Sequence, residues 1–135
     1  MTRQLLQPAH WARPKGYANG VAVSLAQGRQ VFVAGMIGWD AQGPFHSDDL
    51  VAQVHQALQN VVEVLAEAGA KPEHIVRMTW YLLDRREYLH RGKEIGGVYR
   101  EIIGSFNAVM TAVEVRALIE DRAKVEIEVT AVIPD

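Results

Sequence analysis

The segment from Ser47 to Pro72, SDDLVAQVHQALQNVVEVLAEAGAKP, restricts the fold more than any other. It sets Leu50, Val54, Ala57, Leu58, Val61, Val62 and Leu65 at helical spacing, a single apolar stripe. Ser47 reads as the N-cap with Asp48 and Asp49 in the first turn, and Gly69 and Pro72 are stop signals. A helix with one apolar stripe must lay it on another apolar surface, and the flanking segments supply one with period two. Upstream, VAVSLAQGRQVFVAGMIGWD reads as a hairpin around Gly28, with strands Val21 to Leu25 and Gln30 to Ile37. Downstream, HIVRMTWYLLD puts Val76, Met78, Trp80 and Leu82 on one face and Arg77, Thr79, Tyr81 and Leu83 on the other.

Asp84 can cap a second helix over RREYLHRGKEIGGVYREIIG. Gly92, Gly96 and Gly97 each weaken it by about 1 kcal/mol relative to alanine, which predicts close packing or a local break. Strands near 108–117 and 124–133 complete the chain. The expected order is strand, strand, helix, strand, helix, strand, strand. That order predicts an α+β sandwich of two layers, a mixed sheet with two helices on one face, and one domain over residues 1–135. The second sheet face is then bare, and on it we place Arg77, Thr79, Tyr81, Glu126 and Glu128 together with Val31, Val33 and Ile37. Such a surface is too apolar for water and too charged for a core, so a symmetric oligomer is expected.

The net charge of −2 gives no electrostatic reason to expect nucleic acid or an anionic membrane. The absence of cysteine removes disulfides, thiolate nucleophiles and Cys-rich zinc sites. With no signal-like N-terminus and no long apolar run, the expected location is the cytoplasm. No two of His10, His46, His55, His74 and His90 stand at the i, i+4 spacing of a helical metal pair, so no metal is expected. The serines form no nucleophile elbow, and GMIG is neither a dinucleotide fingerprint nor a P-loop, so no cofactor is expected either.

What remains is carboxylate, phenol and backbone. In AKVEIEVTAV, Glu126 and Glu128 share one strand face. Either they pair with cations such as Arg77 or Arg116, or one of them is desolvated at an interface, raised in pKa and able to exchange a proton with water. Which of the two faces a cavity stays open. Tyr17, between Gly16 and Gly20 in PKGYANGV, is a phenol that strand or helix packing does not explain. Gly35 and Gly38 mark a bulge or a close approach to the backbone.

VFVAGMIGWD resembles the VxxSGQIP segment of the RidA/YjgF family of enamine/imine deaminases. NVVEVLAEAGA, IVRMTWYLLD, GVYREIIG, TAVEVRAL and AKVEIEVTAV follow in the family's order, over nearly the whole chain. The resemblance implies a chorismate-mutase-like α+β subunit and a homotrimer with small-molecule clefts between subunits. It implies cofactor-independent hydrolysis of reactive enamines and imines to 2-keto acids and ammonia. By motif, the family's loop tyrosine falls on Tyr17, its backbone segment on Gly35, Met36 and Ile37, and its water-positioning glutamate on Glu126. The arginine that grips the substrate carboxylate does not carry over. Its PARS/T-VEV context reads Ala108-Val109-Met110-Thr111-Ala112-Val113-Glu114-Val115, with Met110 in the arginine's place. Met36 replaces a family glutamine, Trp39 is added, and with Met110 they imply a more apolar cleft. The expected function is therefore deaminase-type water addition to C=N bonds on a substrate other than simple 2-aminoacrylate. The alternative is a non-catalytic small-molecule binding or regulatory protein on the same trimer.

Overall fold

The computed structural model describes residues 3–14, 18–105 and 108–135. Six strands form one sheet: β1 (Arg3–Leu6), β2 (Gly20–Ser24), β3 (Arg29–Met36), β4 (Ile75–Leu82), β5 (Val109–Glu114) and β6 (Val125–Ile133). Three helices accompany them: α1 (Leu50–Glu67), α2 (Arg85–His90) and α3 (Gly92–Ile102), with a short 3-10 turn at Pro72–His74. The strand order is β1-β2-β3-β6-β4-β5, and every neighbouring pair is antiparallel except β4 with β5. Parallel neighbours need a crossover, which α2 and α3 provide. The result is the expected mixed-sheet α+β sandwich.

The last strand lies between β3 and β4, at the middle of the sheet. Val125, Ile127, Val129 and Ala131 alternate onto the helix side and are buried there. Glu126 and Glu128 are thereby fixed to the centre of the opposite, uncovered face. On α1 the buried stripe comprises Leu50, Val54, Ala57, Leu58, Val61, Val64 and Leu65, joined by the polar Gln53 and Asn60. Val62 stays half-exposed.

Four details differ from the sequence reading. Val31, Val33 and Ile37 lie in the core, not on the open face, because Val31 and Val33 stand opposite the inward-facing Ala131 and Val129; Phe32 takes the outward position. A register shift between Ile75 and Arg77 turns Val76 outward and gives Ile75 its place inside. Asp49, not Ser47, caps α1: its carboxylate accepts from the Ala52 amide at 3.0 Å, while Ser47 Oγ accepts from the Asp49 amide at 3.0 Å. Finally, β1 pairs with β2 and buries Leu6, a strand of four residues too short for its alternation to be visible in sequence.

The glycine-weakened second helix breaks at Arg91 and Gly92 into α2 and α3. Arg91 closes the first and opens the second, held by Asp49 at the start of α1 and by Glu94.

Candidate functional site

Glu126 is half-buried at the centre of the open face, level with Tyr81 of β4. Its carboxyl pKa is raised, first by burial and then by the neighbouring charge of Glu128. Beside it the β3 to β6 ladder shifts register between Val33 and Met36, and Gly35 falls in that irregularity. A Cβ at Gly35 would lie 2.6 Å from Glu126 Oε2, so only glycine lets the carboxylate rest over the β3 backbone. Two buried amides on α1 fix the chain on both sides of this contact. Asn60 Nδ2 donates to the carbonyls of Ile37 at 3.1 Å and Trp39 at 2.8 Å, just past β3. Gln53 accepts from the Lys124 amide at 2.8 Å and donates to the Arg122 carbonyl at 2.9 Å, just before β6.

The two glutamates are not equivalent. The Tyr81 hydroxyl donates to Glu128 Oε1 at 2.7 Å, which raises the Tyr81 pKa and occupies Glu128 structurally. Glu128 thus has a phenol as its partner, not Arg77 or Arg116 as one sequence alternative had it. No hydrogen bond engages the Glu126 carboxylate among the described residues, and it borders a cavity of about 280 Å³ with Tyr81, Val115, Leu118 and Ile119. A desolvated, unengaged carboxyl beside an open backbone can accept a proton from water or return one.

The other site candidates are dispersed. Tyr17 lies outside the described residues. The side chains of Met36 and Ile37 are buried in the core, 2% and 5% exposed, which leaves only their backbone near Glu126. Trp39 stands with Trp11, Asn19 and Asp40 around a separate cavity of about 310 Å³. Met110 pairs in parallel with Met78 and so points to the helix side of the sheet. There it borders a cavity of about 300 Å³ with Trp80, Tyr88, Ile95, Tyr99 and Arg100. Trp80 and Tyr88 meet edge to face, with centroids 6.1 Å apart. Burial raises the pKa of Tyr88 and Tyr99, and the indole Nε1 of Trp80 is buried without a partner among the described residues. Met110 and Glu126 therefore occupy opposite faces of one sheet, and a single chain does not bring them together.

Sequence reasoning missed Gln53 and Asn60, because the two amides sit within an apolar helix stripe. Among the described residues no group of three or more His, Cys, Asp or Glu side chains could hold a metal, and no helix is long and apolar enough to cross a membrane.

Fold and site together define a small α+β subunit with chemistry-bearing groups on both faces of one mixed sheet. The family described as Endoribonuclease L-PSP matches residues 12–133. A RutC family protein of Pyrococcus abyssi is 30% identical over 123 residues, 90% of this chain and 91% of the relative. A 2-iminobutanoate/2-iminopropanoate deaminase of Salmonella typhimurium is 31% identical over 119 residues, 86% of each chain. Among solved structures, a Mycobacterium tuberculosis member of the YjgF/YER057c/UK114 family is 30% identical with a TM-score of 0.75, covering 98% of this chain and all of that one. The chain belongs to the RidA/YjgF family.

Proposed function

We propose that residues 1–135 act as one domain of a cytoplasmic homotrimer that hydrolyses a C=N bond without a cofactor, on a substrate other than simple 2-aminoacrylate. The observation that carries this reading is Glu126, a half-buried carboxyl of raised pKa lying over the Gly35 backbone. The deaminase name of the Salmonella relative supports the same chemistry. Because Glu126 and Met110 lie on opposite sheet faces, the complete site is a cleft in which Glu126 of one copy meets the Met110 cavity of another.

In the reaction, water oxygen bonds to the imine carbon while Glu126 takes a water proton and the C=N electron pair moves to nitrogen. Glu126 passes that proton to nitrogen, which gives the carbinolamine. Glu126 then takes the carbinolamine hydroxyl proton as the carbonyl forms and the C–N bond breaks, and hands it to the departing nitrogen, which leaves as ammonia. Tyr17, by resemblance, donates to the leaving nitrogen, and backbone amides near Gly35 and Ile37 hold the developing charge.

The test is ammonia release from a panel of enamines and imines that includes bulky and carboxylate-free members. Activity in the wild type that falls about a hundredfold or more in Glu126→Gln is expected, the loss typical of a removed general base. No acceleration on any member would overturn the proposal.

Met110, standing where the resemblance has an arginine, favours a second reading: a small-molecule binder or regulator without turnover. Met110→Arg separates the two. A gain of 2-aminoacrylate deamination supports the enzyme, whereas continued inactivity with retained ligand binding supports the binder.

A further inference from the structure

The cavity that borders Glu126 is defined by charge as much as by shape. Its polar side is Tyr81, Glu126 and Glu128, and its apolar side is Val115, Leu118 and Ile119, around about 280 Å³. That volume is at the small end of the range for small-molecule sites. The apolar side belongs to the loop between β5 and β6, whose ends are pinned: the Val115 amide donates to the Leu82 carbonyl at 2.8 Å, and Gln53 holds the Arg122 carbonyl and the Lys124 amide. Between these anchors Ile119 stands 96% exposed, an aliphatic side chain that its own subunit leaves to water.

Two carboxylates border this hollow, and among the described residues no cation does. Neither carboxylate forms an ion pair there, whereas Asp48, Asp49, Glu87 and Glu94 all do. Of the loop's own cations, Arg122 turns to Asp48 at 2.8 Å and Arg116 does not line the cavity. Arg77 lies about 13 Å from Tyr81 along β4 and borders a separate hollow on the far side of Glu128. Burial and the Glu128 charge both penalise an ionised Glu126, and a positive charge beside it would offset them.

We propose, on the reading of Glu126 as the base that takes a proton from water, that this cavity selects a cationic iminium with an apolar body and no carboxylate, its N–H donating to Glu126 and its hydrocarbon lying against Leu118 and Ile119. One carboxylate oxygen is sufficient for the N–H, and the other stays free for water. Such a charge-assisted bond is about twice as strong as its neutral counterpart. A 2-imino acid would instead bring a third carboxylate to a place that already holds two, with no described cation to receive it, and repulsion rejects it. An iminium already carries its nitrogen proton, so water addition gives the carbinolamine at once as Glu126 takes a proton. Glu126 returns it to nitrogen as the C–N bond breaks, the hydroxyl proton follows through Glu126, and a carbonyl and ammonium leave.

Calorimetric titration with benzamidine, benzamide and benzoate decides it, three compounds of one shape with a positive, a zero and a negative charge. The planar amidinium stands in for the iminium. The wild type is expected to bind benzamidine at least tenfold more tightly than benzamide, and benzoate least of all. Glu126→Gln removes the gap between amidine and amide, and Ile119→Ala weakens both by the same factor. Both positions lie outside the core, so a melting temperature that does not fall verifies that each variant folds. Equal affinity for amidine and amide in the wild type, a preference that survives in Glu126→Gln, or no binding of any of the three overturns the proposal. Amidine preference in a protein that releases ammonia from no imine sinks the deaminase reading and leaves this one standing. Ammonia release without amidine preference does the reverse.

Discussion

At the scale of single residues, Glu126 is held at a cost to stability, and the cost has a sign that can be measured. Its folded-state carboxyl titrates above the ordinary 4.5, because burial and the Glu128 charge penalise the ionised form. Between those two values the folded chain binds more protons than the unfolded one, so stability falls as pH rises through the window and is level above it. Glu126→Gln, which cannot ionise, removes that slope. In urea titrations from pH 4 to pH 8, the variant should gain on the wild type as pH rises and remain the more stable protein at neutrality. If the gap between the two does not change with pH, the strain assigned to Glu126 is absent. A residue whose removal stabilises the fold while abolishing turnover is the pattern expected of a group kept for chemistry. Alternation alone assigned Glu126 its strand and its face. Its distinction from Glu128 was not legible, because it depends on Tyr81 standing one strand away, a neighbour fixed by strand order.

At the scale of elements, the period of α1 and the alternation of β6 were sufficient to place the helix layer on one side of the sheet, whereas Val31 and Val33 of β3 fell on the wrong face and the shift after Ile75 turned Val76 of β4 outward. Local contacts that cross elements were not legible. Asp49 illustrates why. As sequence, Ser47, Asp48 and Asp49 all suit an N-terminus, and Asp49 prevails because its carboxylate caps the Ala52 amide and also meets Arg91 at the α2 to α3 break. The same limit explains Gln53 and Asn60, polar interruptions in an apolar stripe whose partners are loop carbonyls and an amide far along the chain. Asp49→Ala loses the cap and the ion pair and is expected to cost about 1 to 2 kcal/mol in denaturant titration at neutral pH. Asp49→Asn keeps a capping oxygen and should cost less. The Arg91 hydrogen bond holds the Asp49 carboxyl below its ordinary 3.8, so this contribution is present above that value and is lost as pH falls through the lower, folded one. The deficit of Asp49→Ala should accordingly shrink in acid; a deficit that is constant down to the acid transition would refute the pairing.

At the scale of the whole molecule, the bare sheet face is the feature that a lone subunit leaves unexplained. One row of side chains crosses it from edge to edge: Leu5, Val21, Phe32, Thr130, Arg77 and Val109, each level with the next. Leu5 is 66% exposed, Phe32 42% and Val109 69%. The apolar members of this row, Leu5, Val21, Phe32 and Val109, gain stability when another copy of the chain covers them, and the aromatic ring of Phe32 adds to the gain. The proposed trimer predicts a sedimentation mass three times the 15.0 kDa subunit. Phe32→Glu places an unpaired charge in the middle of the contact while touching nothing in the core, so the subunit should still fold and the mass should drop to that of one chain. In the proposed trimer activity should fall with it although Glu126 and the Met110 cavity are both intact, because the two lie on opposite faces of each sheet. A variant that sediments as a single chain yet still releases ammonia would show that one subunit is sufficient, and the shared cleft would have to be abandoned.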